Sequence, residues 1–169
     1  MAVLAVSNAR RVRDWLMWLL TYRHALRISE TLNLTRADVE GGHIIARRLK
    51  GSETTIQPLL EHPDPLLNER IAVPLFVRNL TEKQKLFTIK PRRAEYAFAG
   101  YAAAVGIPAH KRHPHVLKHT CLTELVPKIG VPAAQCWAGH KSGASTLMYT
   151  RMDPAMVAEA VRTALTSGI

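Results

Sequence analysis

From about Ser7 the apolar positions Val12, Trp15, Leu16 and Leu19 recur at three- and four-residue steps, the period of an amphipathic helix with an aromatic-rich buried face. Arg10, Arg11 and Arg13 fall largely on its other side. A second short helix is expected over Arg27 to Leu34. The period then shortens: Ile44-Ile-Ala-Arg-Arg-Leu and Thr54-Thr-Ile-Gln-Pro-Leu, β-prone runs on either side of Lys50-Gly-Ser-Glu, predict a hairpin around a Gly-containing turn. Glu61 to Pro74 holds Pro63, Pro65 and Pro74 and is expected to be mostly loop, with a helix beginning near Pro74. A helix is predicted over Arg92 to Val105, ended by Gly106. Leu117, Cys121 and Leu125 share one face within His115 to Lys128. Pro132 opens a further helix that Gly139 ends. Asp153-Pro154 is a helix start, followed by an apolar stripe of Met156, Val157, Ala160, Val161, Ala164 and Leu165. No internal repeat, low-complexity tract or linker interrupts the pattern. It predicts a mainly α fold with a small antiparallel β-hairpin, as a single domain over residues 1–169.

Composition sharpens this picture. The chain has 169 residues, of which 47% are hydrophobic and 21% charged, close to the globular average, which argues against wholesale disorder. No apolar run approaches the roughly 20 residues of a membrane span, and the start, MAVLAVSNARRVRD, lacks the basic region of a signal peptide. Two cysteines do not make a disulfide framework and suggest a reducing compartment. The 23 Lys and Arg against 13 Asp and Glu leave a formal net charge of +10, and a strongly basic globular domain usually meets a polyanion, most often nucleic acid. A solvated basic surface is the plainer alternative, but the distribution speaks against it. Between Lys83 and His119 stand eight Lys or Arg and one acid, Glu95.

The chemistry lies in an ordered series of residues. Tyr22-Arg-His-Ala-Leu-Arg27-Ile-Ser-Glu30 is followed by Lys50 at the hairpin turn. His115-Val-Leu-Lys118-His-Thr comes next, then Ala138-Gly-His140, and Tyr149 nine residues after that histidine. This order resembles the catalytic domain of the tyrosine recombinase (phage integrase) family, from about residue 8 to the C-terminus. Cleaving a phosphodiester without a metal requires a nucleophile, cations around the non-bridging oxygens and an acid for the leaving 5′-oxygen. Tyr149 can be the nucleophile, although a phenol needs a base or a strongly cationic site to act near neutral pH. Arg27 has the planar fork for two phosphate oxygens. Lys50, at a hairpin tip, has the reach to protonate a leaving alkoxide. His115 and Lys118, three apart on a helix, can address one phosphate together. His140, after the helix end at Gly139, can donate to developing charge.

The resemblance implies catalytic roles for Arg27, Lys50, His115, Lys118, His140 and Tyr149. Tyr149 would form a 3′-phosphotyrosyl bond and free a 5′-hydroxyl, which, or one from a partner strand, reseals the DNA. Because the bond energy is kept in the adduct, neither ATP nor a metal ion is implied, and no cofactor is expected. Glu30 is expected to hold Arg27 rather than touch DNA. The implied partner is double-stranded DNA, bound by a homo-oligomer (a tetramer), with the helix after Asp153 docking into a neighbour or packing on its own domain. The implied setting is a mobile element in bacterial or phage-encoded form, cytoplasmic and nucleoid-associated.

Two departures from the family pattern stand out. The family has His-x-x-Arg, and here the fourth position is Lys118, which keeps the charge but loses the fork. By analogy with removed oxyanion donors, that costs about 2–4 kcal/mol, a slowing of roughly 100- to 1000-fold. Arg112 is the nearest compensating cation in sequence. The second departure is extent: only 26 residues precede Arg27, so an N-terminal DNA-clamp domain is expected to be absent, and binding by this chain alone to be weak. The competing expectations are a catalytically impaired DNA-binding module of the same fold and a relaxing type IB topoisomerase. Zinc held by His110, His113, His115 and His119, or by Cys136 with His140, is the metal alternative, but no Cys-x-x-Cys supports it. Cys121, beside Leu117 and Leu125, is expected to be core.

Overall fold

The stripe that the period marks out in the first helix is buried, with Leu16, Met17, Leu19 and Leu20 inside and Arg10 and Arg11 exposed. The computed structural model describes residues 9–48, 52–140 and 154–166. In chain order these form α1 (Ala9–Arg23), α2 (Ile28–Thr31), a 3-10 turn (Arg36–Val39), β1 (His43–Ala46), β2 (Thr55–Pro58), α3 (Glu69–Val77), α4 (Pro91–Ala104), a second 3-10 turn (Ala109–Lys111), α5 (His115–Trp137) and α6 (Pro154–Thr166). The described residues thus have the mainly helical fold with one small antiparallel sheet that the pattern predicts.

The hairpin is antiparallel, with Ile44 opposite Gln57 and Ile45 opposite Ile56. Period-two alternation turns Ile44, Ala46 and then Arg48 inward, while Ile45 is half-buried and Arg47 exposed. Residues 49–51, which include Lys50, lie outside the described residues.

Two expectations about local structure change. The segment after Arg27 makes only the single turn of α2, because the chain reverses at Asn33 and Leu34. The Leu34 carbonyl accepts from Leu86 instead of continuing a helix. The helix expected near Pro74 starts at Glu69, with Pro74 inside it and exposed. Asn68 accepts from Ile71 and Ala72 to open that helix, and the Glu69 carboxylate turns inward to accept from the Leu60 amide at 2.8 Å. The Asn68 side chain does not cap this helix; its amide donates to the His62 carbonyl at 3.0 Å, and the inward-turned Glu69 anchors the helix start ahead of the proline.

Elsewhere the punctuation holds. Gly106 and Gly139 end α4 and α5 in the left-handed region, at φ 76° and 64°. In each the next amide reaches back five residues (Ile107 to Ala102, His140 to Gln135), which defines the Schellman ending. Helix α1 ends the same way, Leu26 to Thr21, but places Ala25 there at φ 48°. A left-handed alanine costs about 1–2 kcal/mol; its fully buried methyl fills a place that glycine would leave empty. Gly130, at φ 80° and ψ 159° between Pro127 and Pro132, kinks α5, matching the helix break expected before Pro132.

Two apolar clusters result. One joins α1, β1, α3 and Phe87; the other joins Cys121, Leu125, Ala134 and Trp137 of α5 to Val157, Val161, Ala164 and Leu165 of α6. Cys121 is core, as expected, and burial pushes its thiol up to about 12. Helix α6 packs on its own domain, against α5 and β2, and Lys128 donates to the Ala164 carbonyl at 2.8 Å. The α1–α2 turn crosses the seam, with Ala25 in one cluster and Leu26 in the other, and Arg27 is the next residue.

Candidate active site

Arg27 leaves that turn in extended conformation and half-buried. Glu30, buried one turn later, takes its Nη1 at 2.8 Å and its backbone amide at 2.8 Å, the holding role expected of Glu30. This aims the fork while leaving the rest of the guanidinium open to a cleft of about 500 Å³. Tyr96 of α4 and Arg112, His113 and His115 complete much of that lining. The compensating cation suggested by sequence is therefore beside Arg27 and His115, with Arg112 Nε donating to the Ile107 carbonyl at 2.6 Å.

His115 and Lys118 rise from the first turn of α5 and differ sharply in exposure. His115 is exposed, with its ring edge-on to His119 at 4.7 Å. Its acidity is raised, so its pKa lies below the usual histidine value, by partial desolvation first and then by the neighbouring His119 and Arg27. Lys118 is 3% exposed and its Nζ donates at 3.4 Å to the Ala138 carbonyl. Burial, followed by repulsion from Arg48, pulls that ammonium down to about 8, with Glu30 opposing the shift. His140 sits just beyond the α5 end, lowered by desolvation and then by Lys118, Arg27 and Arg48. Arg27, His115, Lys118 and His140 are thus close enough to perturb one another, a small cationic locality with Glu30 as its carboxylate.

Arg48 is the residue that sequence reasoning missed. Fully buried, its Nη1 donates to the Ala25 carbonyl (2.9 Å) and Glu30 Oε2 (3.3 Å), and its Nη2 to the carbonyls of His24 (3.1 Å) and Trp137 (2.9 Å) and to Thr55 Oγ1 (3.1 Å). Desolvation lowers its pKa, and Glu30 counters this. One side chain therefore ties the turn that launches Arg27 to the helix end that launches His140. The signal was present: Arg48 continues the inward register of Ile44 and Ala46.

The C-terminal carbonyls of α5 carry the negative end of its dipole, and donors converge on them. Arg48 and Gln57 Nε2 (2.5 Å) reach Trp137, Lys118 reaches Ala138, and the Glu53 amide reaches Gly139 at 2.9 Å. A bridge pairs Ser52 with His140, so the returning hairpin arm lies against the helix end. A Cβ on Gly139 would stand 2.6 Å from the Glu53 carbonyl oxygen, which is why only glycine fits. Beneath, the buried His24 ring stacks on Trp137 at 5.8 Å and faces Gln57 (2.7 Å) and Glu69 (3.0 Å). Lys50 and Tyr149 lie outside the described residues. Among the described residues, no group of three or more His, Cys, Asp or Glu side chains is placed to share a metal ion, and no helix is long and apolar enough to cross a membrane.

A helical domain with one hairpin, carrying cations from three separate elements around one cleft, defines the class into which the chain falls. The model of the Phage integrase family matches residues 1–156, and the chain belongs to that family. Among curated relatives it is similar to the tyrosine recombinase XerC of Methylobacterium sp. (strain 4-46), 32% identical over 164 residues, covering 90% of this chain and 49% of the relative. Tyrosine recombinase XerA of Thermococcus onnurineus (strain NA1) is 29% identical, covering 89% and 55%. The type 1 fimbriae regulatory protein FimE of Escherichia coli (strain K12) is 29% identical, covering 89% and 80%. The chain spans about half the length of the XerC and XerA relatives.

Proposed function

We propose that this chain is the catalytic unit of a site-specific DNA recombinase that cleaves and rejoins double-stranded DNA through Tyr149. The observation that carries the reading is that Arg27, Arg112 and His115 line one cleft, while Glu30 and Arg48 tie Arg27 to the α5 end where Lys118 and His140 stand. Family membership and relatives named as recombinases support it. Arg27, Arg112 and Lys118 hold the non-bridging oxygens of the scissile phosphate; His140 donates to the charge that develops as Tyr149 attacks. The Tyr149 hydroxyl passes its proton to the ring of His115, which is shifted toward its neutral form, as its oxygen bonds to phosphorus; the bond to the 5′-oxygen breaks, and Lys50 gives that oxygen its proton. The reverse attack by a 5′-hydroxyl releases Tyr149 and seals the strand, with no step calling for ATP or a metal. The proposed working state is a homo-oligomer on DNA, within a bacterial or phage-encoded mobile element. If α6 is the linking element, it must leave its groove on α5, because in this structure its stripe is packed in cis.

The second reading, an impaired DNA-binding module, is favoured by one observation: Lys118 is buried and bonded to a helix end instead of projecting into the cleft. Covalent trapping on a pool of nicked duplexes separates the two. An adduct from the unaltered chain that is lost in Tyr149→Phe supports the enzyme and shows that lysine suffices at 118. An adduct from Lys118→Arg alone identifies a site disabled at one position. Salt-sensitive binding with no adduct from either version moves the assignment to the binding module.

A further inference from the structure

The arginines at the start of α1 take no part in the site described so far. Helix α1 has 15 residues, so its first turn lies about 20 Å from the Arg27 end. There, a second cleft of about 680 Å³ opens between α1 and the start of α4, walled by Arg10, Arg11, Arg13, Lys90 and Arg93. The cleft's one carboxylate, Asp14, is buried and already engaged. Arg13 donates to its Oδ1 through both Nε (2.8 Å) and Nη2 (2.6 Å), and the Tyr101 hydroxyl donates to Oδ2 at 3.0 Å. Five cations and one acid leave a net of four positive charges, and Asp14 is committed to holding the wall.

Helix α4 relates the two clefts. Glu95, Tyr96 and Ala99 line the Arg27 cleft, whereas Lys90, Arg93, Ala97 and Tyr101 line the second. At 3.6 residues per turn these stripes lie on opposite flanks of the face buried by Ala94, Phe98 and Ala102. The two clefts therefore open on either side of α4, with their arginines toward opposite ends of α1, about 20 Å apart. The exposed surface between them carries Arg92, stacked on the Tyr96 ring at 5.6 Å.

We infer that the second cleft is a phosphate-backbone site for the same duplex whose scissile phosphate sits at Arg27, an inference that rests on the function proposed above. A duplex carries a negative charge for about every 1.7 Å of its length, so one molecule can supply phosphates to two clefts about 20 Å apart. Arginine forks match phosphate oxygens in pairs, which favours this ligand over a single small anion. An acidic protein segment is the competing polyanion. The duplex is preferred because it is continuous across both clefts and the cationic surface between them. The second contact fixes how the duplex lies over Arg27 without reading its sequence.

Equilibrium binding of the full chain to a mixed-sequence duplex over a salt series tests this. Two exposed pairs on opposite walls, Lys90→Gln/Arg93→Gln and Arg10→Gln/Arg11→Gln, are compared with Arg27→Gln, folding being checked for each by circular dichroism. Each cleft pair is expected to weaken binding and to make the slope of log K against log salt shallower by about 1.8, the value for two lost phosphate contacts. The Arg27→Gln loss is expected to add to these independently. An unaltered slope in both cleft pairs, with binding weakened by Arg27→Gln, overturns the second site and leaves the proposed function standing. Displacement of DNA by polyglutamate from the unaltered chain but not from the cleft pairs gives the cleft to an acidic protein partner and also overturns it. Failure of the unaltered chain to bind any duplex removes the proposed function itself.

Discussion

Lys118 stands where the family pattern has arginine, yet its ammonium is withdrawn to the α5 end and lowered to about 8. A bound phosphate stabilises the cation, so binding above pH 8 must take up a proton. Affinity for DNA is therefore expected to fall as pH rises past about 8, by up to tenfold per unit, and this fall is expected to vanish in Lys118→Arg, whose charge does not titrate there. Fluorescence binding isotherms at several pH values check both. Arg48 is buried with all its listeners being carbonyls, a hydroxyl and Glu30. Arg48→Met would leave Glu30 and three carbonyls without that donor, and breaking one side of a buried ionic network costs about 3–5 kcal/mol. Urea denaturation should show that loss, together with reduced DNA affinity because Arg27 loses its anchored turn.

At the scale of elements, the site exists because three chain reversals meet. The α1–α2 turn presents Arg27, the hairpin returns at Ser52 and Glu53, and α5 ends at Gly139. Gly139 serves both as the left-handed cap and as the place where the Glu53 carbonyl approaches. Gly139→Ala therefore faces a backbone penalty of about 1–2 kcal/mol plus a contact that backbone must relieve. The expected result is a protein destabilised by at least about 2 kcal/mol in urea titration, with the hairpin pushed off the helix end and His140 displaced. Gly106→Ala, equally left-handed but with nothing within 4 Å of its Cβ, is expected to show the backbone penalty alone. Most of these elements were legible beforehand: α1, the hairpin, α4, the break in α5 and the start of α6 all follow from apolar period and from Gly and Pro. The start of α3 was not, because Glu69 is fixed there by tertiary contacts with the Leu60 amide and the His24 ring, which no local signal announces.

Across the whole molecule, positive charge is concentrated at the cost of stability. His115, His140 and Lys118 are all shifted toward their neutral forms, so the unfolded chain binds protons more readily than the folded one. Stability is then expected to increase with pH up to about 6.5 from the histidines, and again between about 8 and 9 from Lys118, above which the raised Cys121 thiol works in the opposite direction. Chemical denaturation across pH measures this; the second rise should be missing in Lys118→Met. Polyanions that bind the folded clefts oppose the same repulsion, so added duplex should raise the melting temperature most at low salt.

The amino-acid sequence alone determined the fold class, the basic character and the ordered series from Arg27 to Tyr149, because these depend on local period, turn chemistry and residue order. Tertiary structure decided which cations share a cleft and how each is charged. Arg48 reaches across 89 residues to Trp137, Tyr101 crosses 87 to Asp14, and Lys118 is withdrawn by the burial of its own helix face. Such contacts are set by how the two apolar clusters close on each other, and desolvation is a property of that closure. No stretch of the chain encodes it by itself.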